Sequence, residues 1–491
     1  MAQAYRDLGE FIKFLEGRGE LKRVTAPVTW DLEITEITQR VLREGGPALL
    51  FENVEGYEGT PVLINMYGTE QRAAWALGVE KLEELPAQIE KMMAMAQGGP
   101  PEGLMGKLRM LGDLVKLGRI GPRSVEREDA PVQEVIVQGD DVDLLSLPIL
   151  KTWPQDAGRY ITLPLVITKD PDTGTHNLGM YRLQVYDKNT TGMHWQTHKV
   201  GTQHERASAE RGAGRMEVAV ALGGDPALIW AGSAPLPADV SEYVLAGFLR
   251  GQPVPVTKGV TVDLDVPAQA EYIIEGYVDP SERRPEGPFG DHTGYYSIQD
   301  SYPVFHVTAI THRRNPIYPT IVVGRPPQED YWMGVATERL FLPLMRLMLP
   351  EIVDVHMPAE GVFHNLVLVS IKKEYPGHVQ KTVSGMWGLG LMSLARAIAV
   401  FDDDVNIHDP SEVVWRLSNN IDPRRDIFFA DGPIDDLDVA SPTARVGSKI
   451  GIDATRKSGD GEMGERQWMP DITMDPAVIE QVTRRWKEYG I

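Results

Sequence analysis

No cysteine occurs among the 491 residues. Disulfides, thiolate metal sites, iron–sulfur clusters and cysteine nucleophiles are excluded together, and the composition fits a reducing compartment. Any metal must be held by His, Asn or carboxylates, which favours hard ions such as Mn²⁺ or Mg²⁺ and still allows zinc. Positive charge is also scarce: 49 Lys and Arg face 70 Asp and Glu, a formal net charge of −21. That argues against nucleic acid as a partner and against electrostatic docking on anionic lipid. Long apolar runs are missing too. Met386–Phe401 is interrupted by Arg396 and is shorter than a membrane span. The opening MAQAYRDLGEFIKFLEG is charged throughout and has no apolar signal-peptide core. A cytoplasmic location is expected. P-loop, HExxH and GxSxG patterns are absent, and GLGLMS lacks the third glycine of a dinucleotide fingerprint. No internal repeat is found.

What is present is an ordinary globular balance, 42% hydrophobic and 24% charged, with length for roughly three domains. Leu8, Phe11, Ile12 and Leu15 recur at helical spacing until Gly17 and Gly19, before a strand-like ELKRV. A Met-rich helix is expected over KLEELPAQIEKMMAMAQ. GGPPEG and RIGPRS bracket a short basic helix, a plausible domain margin. From about residue 131 the texture becomes strands: VQEVIV, ITLPLVITK, LGMYRLQVYD, MEVAVAL and FHVTAIT, which predict a mainly antiparallel, barrel-like unit ending near residue 325. A long helix over ATERLFLPLMRLMLPEI follows. Then VFHNLVLVSIKK, a helix over 379–399, AIAVFDDDVN and RDIFFA predict a parallel α/β layer.

Three stretches carry candidate chemistry. HNLGMYRLQVY places Asn177 before a strand and Arg182 within it, between Met180 and Gln184 on one face. An arginine there is either a surface residue or a bidentate carboxylate clamp. GMHWQTHKVGTQH holds His194, His198 and His204, and alternation would put His194, Gln196 and His198 on one face, open to either a structural role or a metal or anion site. In ADVSEY, Glu242 lies in a first helical turn capped by Asp239 or Ser241, where the helix dipole alone explains a carboxylate. The densest stretch is EGPFGDHTGYY, Glu286–Tyr296. Glycines and Pro288 explain a turn, whereas two carboxylates, an imidazole and two tyrosines exceed what a turn needs. Two carboxyls divide labour when a cation keeps one ionised and burial raises the other.

Taken together, these stretches resemble the UbiD family of decarboxylases. The resemblance runs from YRDLGEFIKFLEGRGELKRV through GPALLFENVEGY, GDDVDLLSLPILKTWPQDAG, NLGMYR, PEGPFGDHTGYY, VVGRPPQED, IKKEYPGH and FDDDVN to GSKIGIDAT, nearly the whole chain. It implies an α/β (α+β) fold: an N-terminal α/β portion over 1–124, a split β-barrel cofactor domain over 125–328, a linking helix over 329–352 and a C-terminal α/β oligomerisation domain over 353–491. It implies prenylated FMN as cofactor, with Mn²⁺ bridging protein to the cofactor phosphate and K⁺ nearby. The family's metal ligands match Asn177 and Glu242, with His198 as the third. Its cofactor neighbours match Met180, Tyr181, Arg182, His194, Trp195, Gln196, Lys199 and Val200. Its catalytic set matches Arg182, Glu286 and Asp291, with Arg182 orienting the substrate carboxylate, Glu286 kept ionised and Asp291 as general acid. Asn177 and Arg182, five apart, would face opposite ways in a regular strand, so either Asn177 precedes the strand or Gly179 marks a bulge.

The resemblance further implies a small aromatic acid substrate, a separate flavin prenyltransferase as cofactor supplier, and a homo-oligomer, dimer or hexamer. Peripheral membrane contact would arise only transiently, if the substrate carries a prenyl tail. Length and course resemble the polyprenyl-4-hydroxybenzoate branch of ubiquinone biosynthesis. Where that branch would carry something like MRWLSHRGG, this chain has MHWQTHKVG, differing at His194, Gln196 and Val200. Menaquinone-pathway and catabolic hydroxyarylate or heteroaryl acids stay open as substrates. Two other readings are a cofactor-free metallohydrolase built on Asn177, His198 and Glu242, and a non-catalytic assembly subunit.

Overall fold

The computed structural model describes residues 4–97, 120–196, 199–212, 214–237, 240–457, 462 and 467–491. The basic segment expected between GGPPEG and RIGPRS lies outside the described residues.

The first helix, Leu8–Gly17, forms where expected: Asp7 caps it by accepting from the Glu10 N–H, and Leu8, Phe11, Ile12 and Leu15 are its buried face. Three short strands, Leu21–Val24, Ala48–Phe51 and Val62–Ile64, join Tyr318–Pro319 in a four-stranded sheet. The N-terminal portion is thereby tied to chain that returns from far downstream.

The centre is a seven-stranded antiparallel sheet. Its main path runs Thr190–Gly192, β5 (Asp300–His312), β4 (Tyr272–Glu286), β3 (Met216–Leu222), β1 (Leu165–Lys169) and β2 (His176–Gly179), while Val135–Gln138 pairs with the other end of β5. Alternation decides its two faces. Leu165, Ile167, Ala219, Ala221 and Ile273 enter one core; Val166, Val218, Val220, Tyr272, Ile274 and Phe305 enter the other. With both faces covered, the strands read as nearly continuous apolar runs. The sheet stays open. The register slips between Glu275 and Gly276, where a side chain on Gly276 would lie 1.8 Å from the His306 carbonyl oxygen, so only glycine permits this approach.

Two expected strands are not continuous. LGMYRLQVYD breaks: β2 ends at Gly179, Met180–Arg182 leave the ladder, and pairing resumes at Leu183–Gln184. Asn177 therefore lies within a strand and Arg182 outside one, the reverse of the expectation. The stretch after Gly192 is no strand either; residues 193–196 are irregular and α1 (Val200–Glu210) follows.

α2 (Glu242–Arg250) abuts the central sheet near β2, and α3 (Glu329–Met348) leads into the C-terminal sheet. That sheet is ordered β6 (Ile352–His356), β7 (Leu366–Ile371), β8 (Ala397–Asp402), β10 (Val446–Asp453) and β9 (Ile427–Pro433). Only its three middle strands are parallel; the edges pair antiparallel, so the layer is mixed. The helix expected over 379–399 spans only His378–Trp387, because Gly388 and Gly390, the latter at φ 42°, end it ahead of β8. Among the described residues, no helix is long and apolar enough to cross a membrane.

Candidate active site

EGPFGDHTGYY is the tip of the β4–β5 hairpin. Glu286 is the last residue of β4, paired with Asp300, and the chain turns through Gly287 before Gly290 bridges Tyr296. Gly287 has φ 93°, a conformation that favours glycine. The loop is pinned from several sides. The Gly287 N–H donates to Gln184 Oε1 at 2.8 Å, the Gly290 N–H to Asp156 Oδ1 at 2.8 Å and the Phe289 N–H to Ser297 Oγ at 3.1 Å. Trp153 lies so close that a side chain on Gly290 would come within 2.2 Å of its ring.

Into this loop reaches Arg182, from the break after β2. Its Nε donates to Glu286 Oε1 at 2.8 Å and its Nη2 to Glu286 Oε2 at 3.0 Å, a two-pronged grip. Nη1 pairs with Asp291 Oδ2, and the guanidinium stands 4.7 Å over the Phe289 ring. One arginine thus holds both carboxylates of the loop. Burial alone would raise Glu286, yet the Arg182 charge and the hydrogen bonds from His194 and Arg182 outweigh it and hold Glu286 at about 2. Asp291 is likewise buried, and Arg182 with His292 keeps it well below the usual carboxylate range. Burial and the nearby Arg182 lower the His194 pKa. Its Nδ1 contacts Glu286 Oε2 at 3.1 Å, its ring packs on Tyr302 at 4.3 Å, and its buried Nε2 has no hydrogen-bond partner among the described residues.

A second cluster forms beside the first. Tyr181 folds back over Gly179, where any side chain would lie 2.1 Å from the ring. The Tyr181 hydroxyl faces Asn177 and the Gly201 backbone. Asn177 Nδ2 and Trp195 Nε1 are buried and meet no acceptor in hydrogen-bonding geometry among the described residues. Glu242, first residue of α2 behind the Ser241 cap, accepts from the Leu178 N–H at 2.7 Å. Burial pushes it up to about 7. His198 and Asp239 lie outside the described residues. Among the described residues no group of three His, Asp or Glu could hold a metal, so a site here depends on Asn177 and on His198.

The break after β2 and the segment 194–196 divide their side chains between the two clusters. Tyr181 and Trp195 turn to the Asn177–Glu242 side; Arg182 and His194 turn to the carboxylates. Gln196 accepts at its backbone oxygen from Thr202 Oγ1 at 2.7 Å, and Lys199 precedes α1, half-buried and facing Asp435 and Asp436. Met180 and Val200 are half-buried at the same junctions. His204 is apart from all of these: it sits on α1 with Nδ1 2.8 Å from Thr168 Oγ1, a structural histidine. Sequence reasoning gave no part to His292, bonded to Asp291, or to His364, which reaches it from the C-terminal unit. The imidazole in the loop was a signal for the first; nothing in VFHNLV marks the second.

The buried donors of the Asn177 cluster fit an anionic cofactor. On the Asn177–Glu242 side, Asn177 Nδ2 and Trp195 Nε1 are buried donors without an acceptor among the described residues, and unpaired buried polar groups are costly unless a ligand completes them.

Residues 12–92, 123–326 and 331–454 match the models of the N-terminal, Rift-related and C-terminal domains of 3-octaprenyl-4-hydroxybenzoate carboxy-lyase. An uncharacterized protein of Archaeoglobus fulgidus is 50% identical over 99% of this chain and 98% of its own length. An evolved dimeric form of the UbiD-class enzyme HmfF from Pelotomaculum thermopropionicum, solved with prFMN, is 30% identical, covering 97% of this chain and 98% of its own at a TM-score of 0.78. Vanillic acid decarboxylase of Sedimentibacter hydroxybenzoicus in its closed form is 27% identical, covering 99% and 100%, at a TM-score of 0.86.

Proposed function

The chain belongs to the UbiD family of prenylated-FMN-dependent carboxy-lyases, and from that premise we propose that it removes CO₂ from a 4-hydroxybenzoate-type aromatic acid. The observation that carries this reading is Arg182 suspended between Glu286 and Asp291 above Phe289. When bound, prenylated FMN supplies the electrophile that takes up the electron pair released as CO₂ departs.

The chain's own residues do the rest. Arg182 is the docking point for the substrate carboxylate, and its fork geometry sets the carboxylate's plane. Glu286, gripped at both oxygens, stays ionised and keeps the guanidinium in place. Asp291 holds Arg182 through one oxygen only. A substrate carboxylate arriving at Nη1 competes with it, and a buried Asp291 that loses Arg182 has its pKa raised towards what desolvation favours. The carboxyl that is an anion in the resting site thereby becomes an acid, able to protonate the carbon that has lost CO₂. Asn177, His198 and Glu242 would hold Mn²⁺, whose charge, with K⁺, would offset that of an anionic cofactor, and Met180, Tyr181, Arg182, His194, Trp195, Gln196, Lys199 and Val200 would border the cofactor. The structural likeness to a vanillic acid decarboxylase supports a phenolic acid without a long tail as the first substrate class to try. Leu347 and Met348, 56% and 63% exposed at the end of α3, support assembly into a homo-oligomer.

Expression with and without a flavin prenyltransferase tests the reading. A visible flavin spectrum and CO₂ release from 4-hydroxybenzoates only with the prenyltransferase are expected. A colourless protein, inactive in both cases, would contradict it. Hydrolysis that survives loss of flavin but not chelation would favour the metallohydrolase instead.

A further inference from the structure

Asp291 has two oxygens, and only Oδ2 faces Arg182. The other, Oδ1, accepts from His292 twice: from its backbone N–H at 2.7 Å and from its ring at Nδ1, 2.9 Å away. The opposite ring atom, His292 Nε2, lies 3.2 Å from His364 Nε2, and His364 Nδ1 is 3.2 Å from Asn365 Oδ1. His292 follows the β4 strand end in the hairpin loop; His364 precedes β7 of the C-terminal sheet. The chain of contacts therefore crosses from one unit to the other.

Donor counting narrows the arrangements to two. An ionised carboxylate only accepts, so His292 Nδ1 carries a proton. The Asn365 oxygen only accepts, so His364 Nδ1 carries one as well. Two nitrogens 3.2 Å apart need a single proton between them. The surroundings say which ring owns it. His292 is faced by Asp291 on its own loop, Asp330 on α3 and Asp435 from the C-terminal unit, and against the cost of burial these acids raise its pKa. His364 is faced by Asp435, Asp438 and the charged His292, and burial lowers it to about 4. Both directions favour the shared proton on His292 Nε2, facing His364.

We propose that His292 is the proton store of Asp291, and that His364 is the positioning residue which holds the His292 ring with Nδ1–H on Asp291 Oδ1. The proposal rests on the decarboxylase reading above. When the substrate carboxylate takes Arg182, the Nδ1–H bond of His292 breaks and an O–H bond forms on Asp291 Oδ1. That proton then leaves with the product carbon, and water returns one proton to His292 per turnover. Because His364 arrives from the C-terminal unit, the store is set only when that unit is docked against the hairpin loop.

Two measurements test this. The first needs no turnover: ¹⁵N-histidine NMR of the full chain. At pH 7 His292 should be doubly protonated and His364 neutral, with a hydrogen-bond-mediated coupling between their Nε2 atoms; His364→Leu should lower the His292 pKa. A neutral His292 at pH 7, or one unmoved in His364→Leu, overturns the proposal. The second is the kcat–pH profile of the flavin-loaded enzyme. His364→Leu should shift the alkaline limb to lower pH and cut kcat above that limb by about a hundredfold, the lower edge of what a positioned acid contributes, with KM unchanged. His364→Gln, whose amide oxygen can accept the Nε2–H, should restore the limb. An unshifted limb in His364→Leu overturns the proposal. If the loaded wild type releases no CO₂, the decarboxylase reading fails on its own, and the NMR result still decides the proton store.

Discussion

Arg182 grips both oxygens of Glu286, at 2.8 and 3.0 Å, across 104 residues of sequence. Glu286 is fully buried, so removing its cation strands a charge in a low-dielectric site. Arg182→Ala should cost about 3–5 kcal/mol of stability, read by denaturant unfolding, and abolish CO₂ release. Arg182→Lys retains the charge without the fork and should fold better than Arg182→Ala while remaining nearly inactive.

Two buried glutamates should give opposite pH signatures. Glu286 is lowered from 4.5 to about 2, so its contribution is present above pH 4.5 and is lost as pH falls towards 2. Glu242 is raised from 4.5 to about 7, so the metal-free fold is favoured below pH 4.5 and loses that preference as pH rises to 7. Each swing is about 3 kcal/mol. Unfolding of Glu286→Gln and Glu242→Gln beside the wild type, from pH 3 to 8, should show difference curves of opposite slope. Added Mn²⁺ should flatten the Glu242 curve in the wild type and leave Glu242→Gln unchanged.

Gly179→Ala inserts a methyl where the Tyr181 ring lies 2.1 Å away. The ring must move, and with it the break that aims Arg182. Overpacking of this kind costs about 1–3 kcal/mol. The expected outcome is a folded protein with a lowered Tm that retains little flavin, measured by absorbance after purification.

Local pattern made much of the architecture legible. The helical spacing of Leu8, Phe11, Ile12 and Leu15 and the apolar runs of β1, β3 and β5 needed no tertiary context. The interruption at Gly179 was legible only as one of two alternatives, a bulge there; its cause, a ring folding into the space a glycine leaves, was not. The helix expected to run to 399 stopped at Trp387 for a local reason, the glycines that follow it. In the site, the hairpin stretch announced its acids, and the resemblance paired them with Arg182. The His292–His364 contact was invisible, since a bond between residues 72 apart leaves no local periodicity.

The central claim is a division of labour: Glu286 remains an ion and Asp291 carries the proton. Deuterium exchange into the decarboxylated product by flavin-loaded enzyme in D₂O tests it most directly. The wild type should exchange the hydrogen at the former carboxyl position, and Asp291→Asn should slow that exchange by about 10²–10⁴-fold while still binding flavin. Exchange at the wild-type rate in Asp291→Asn would contradict the account.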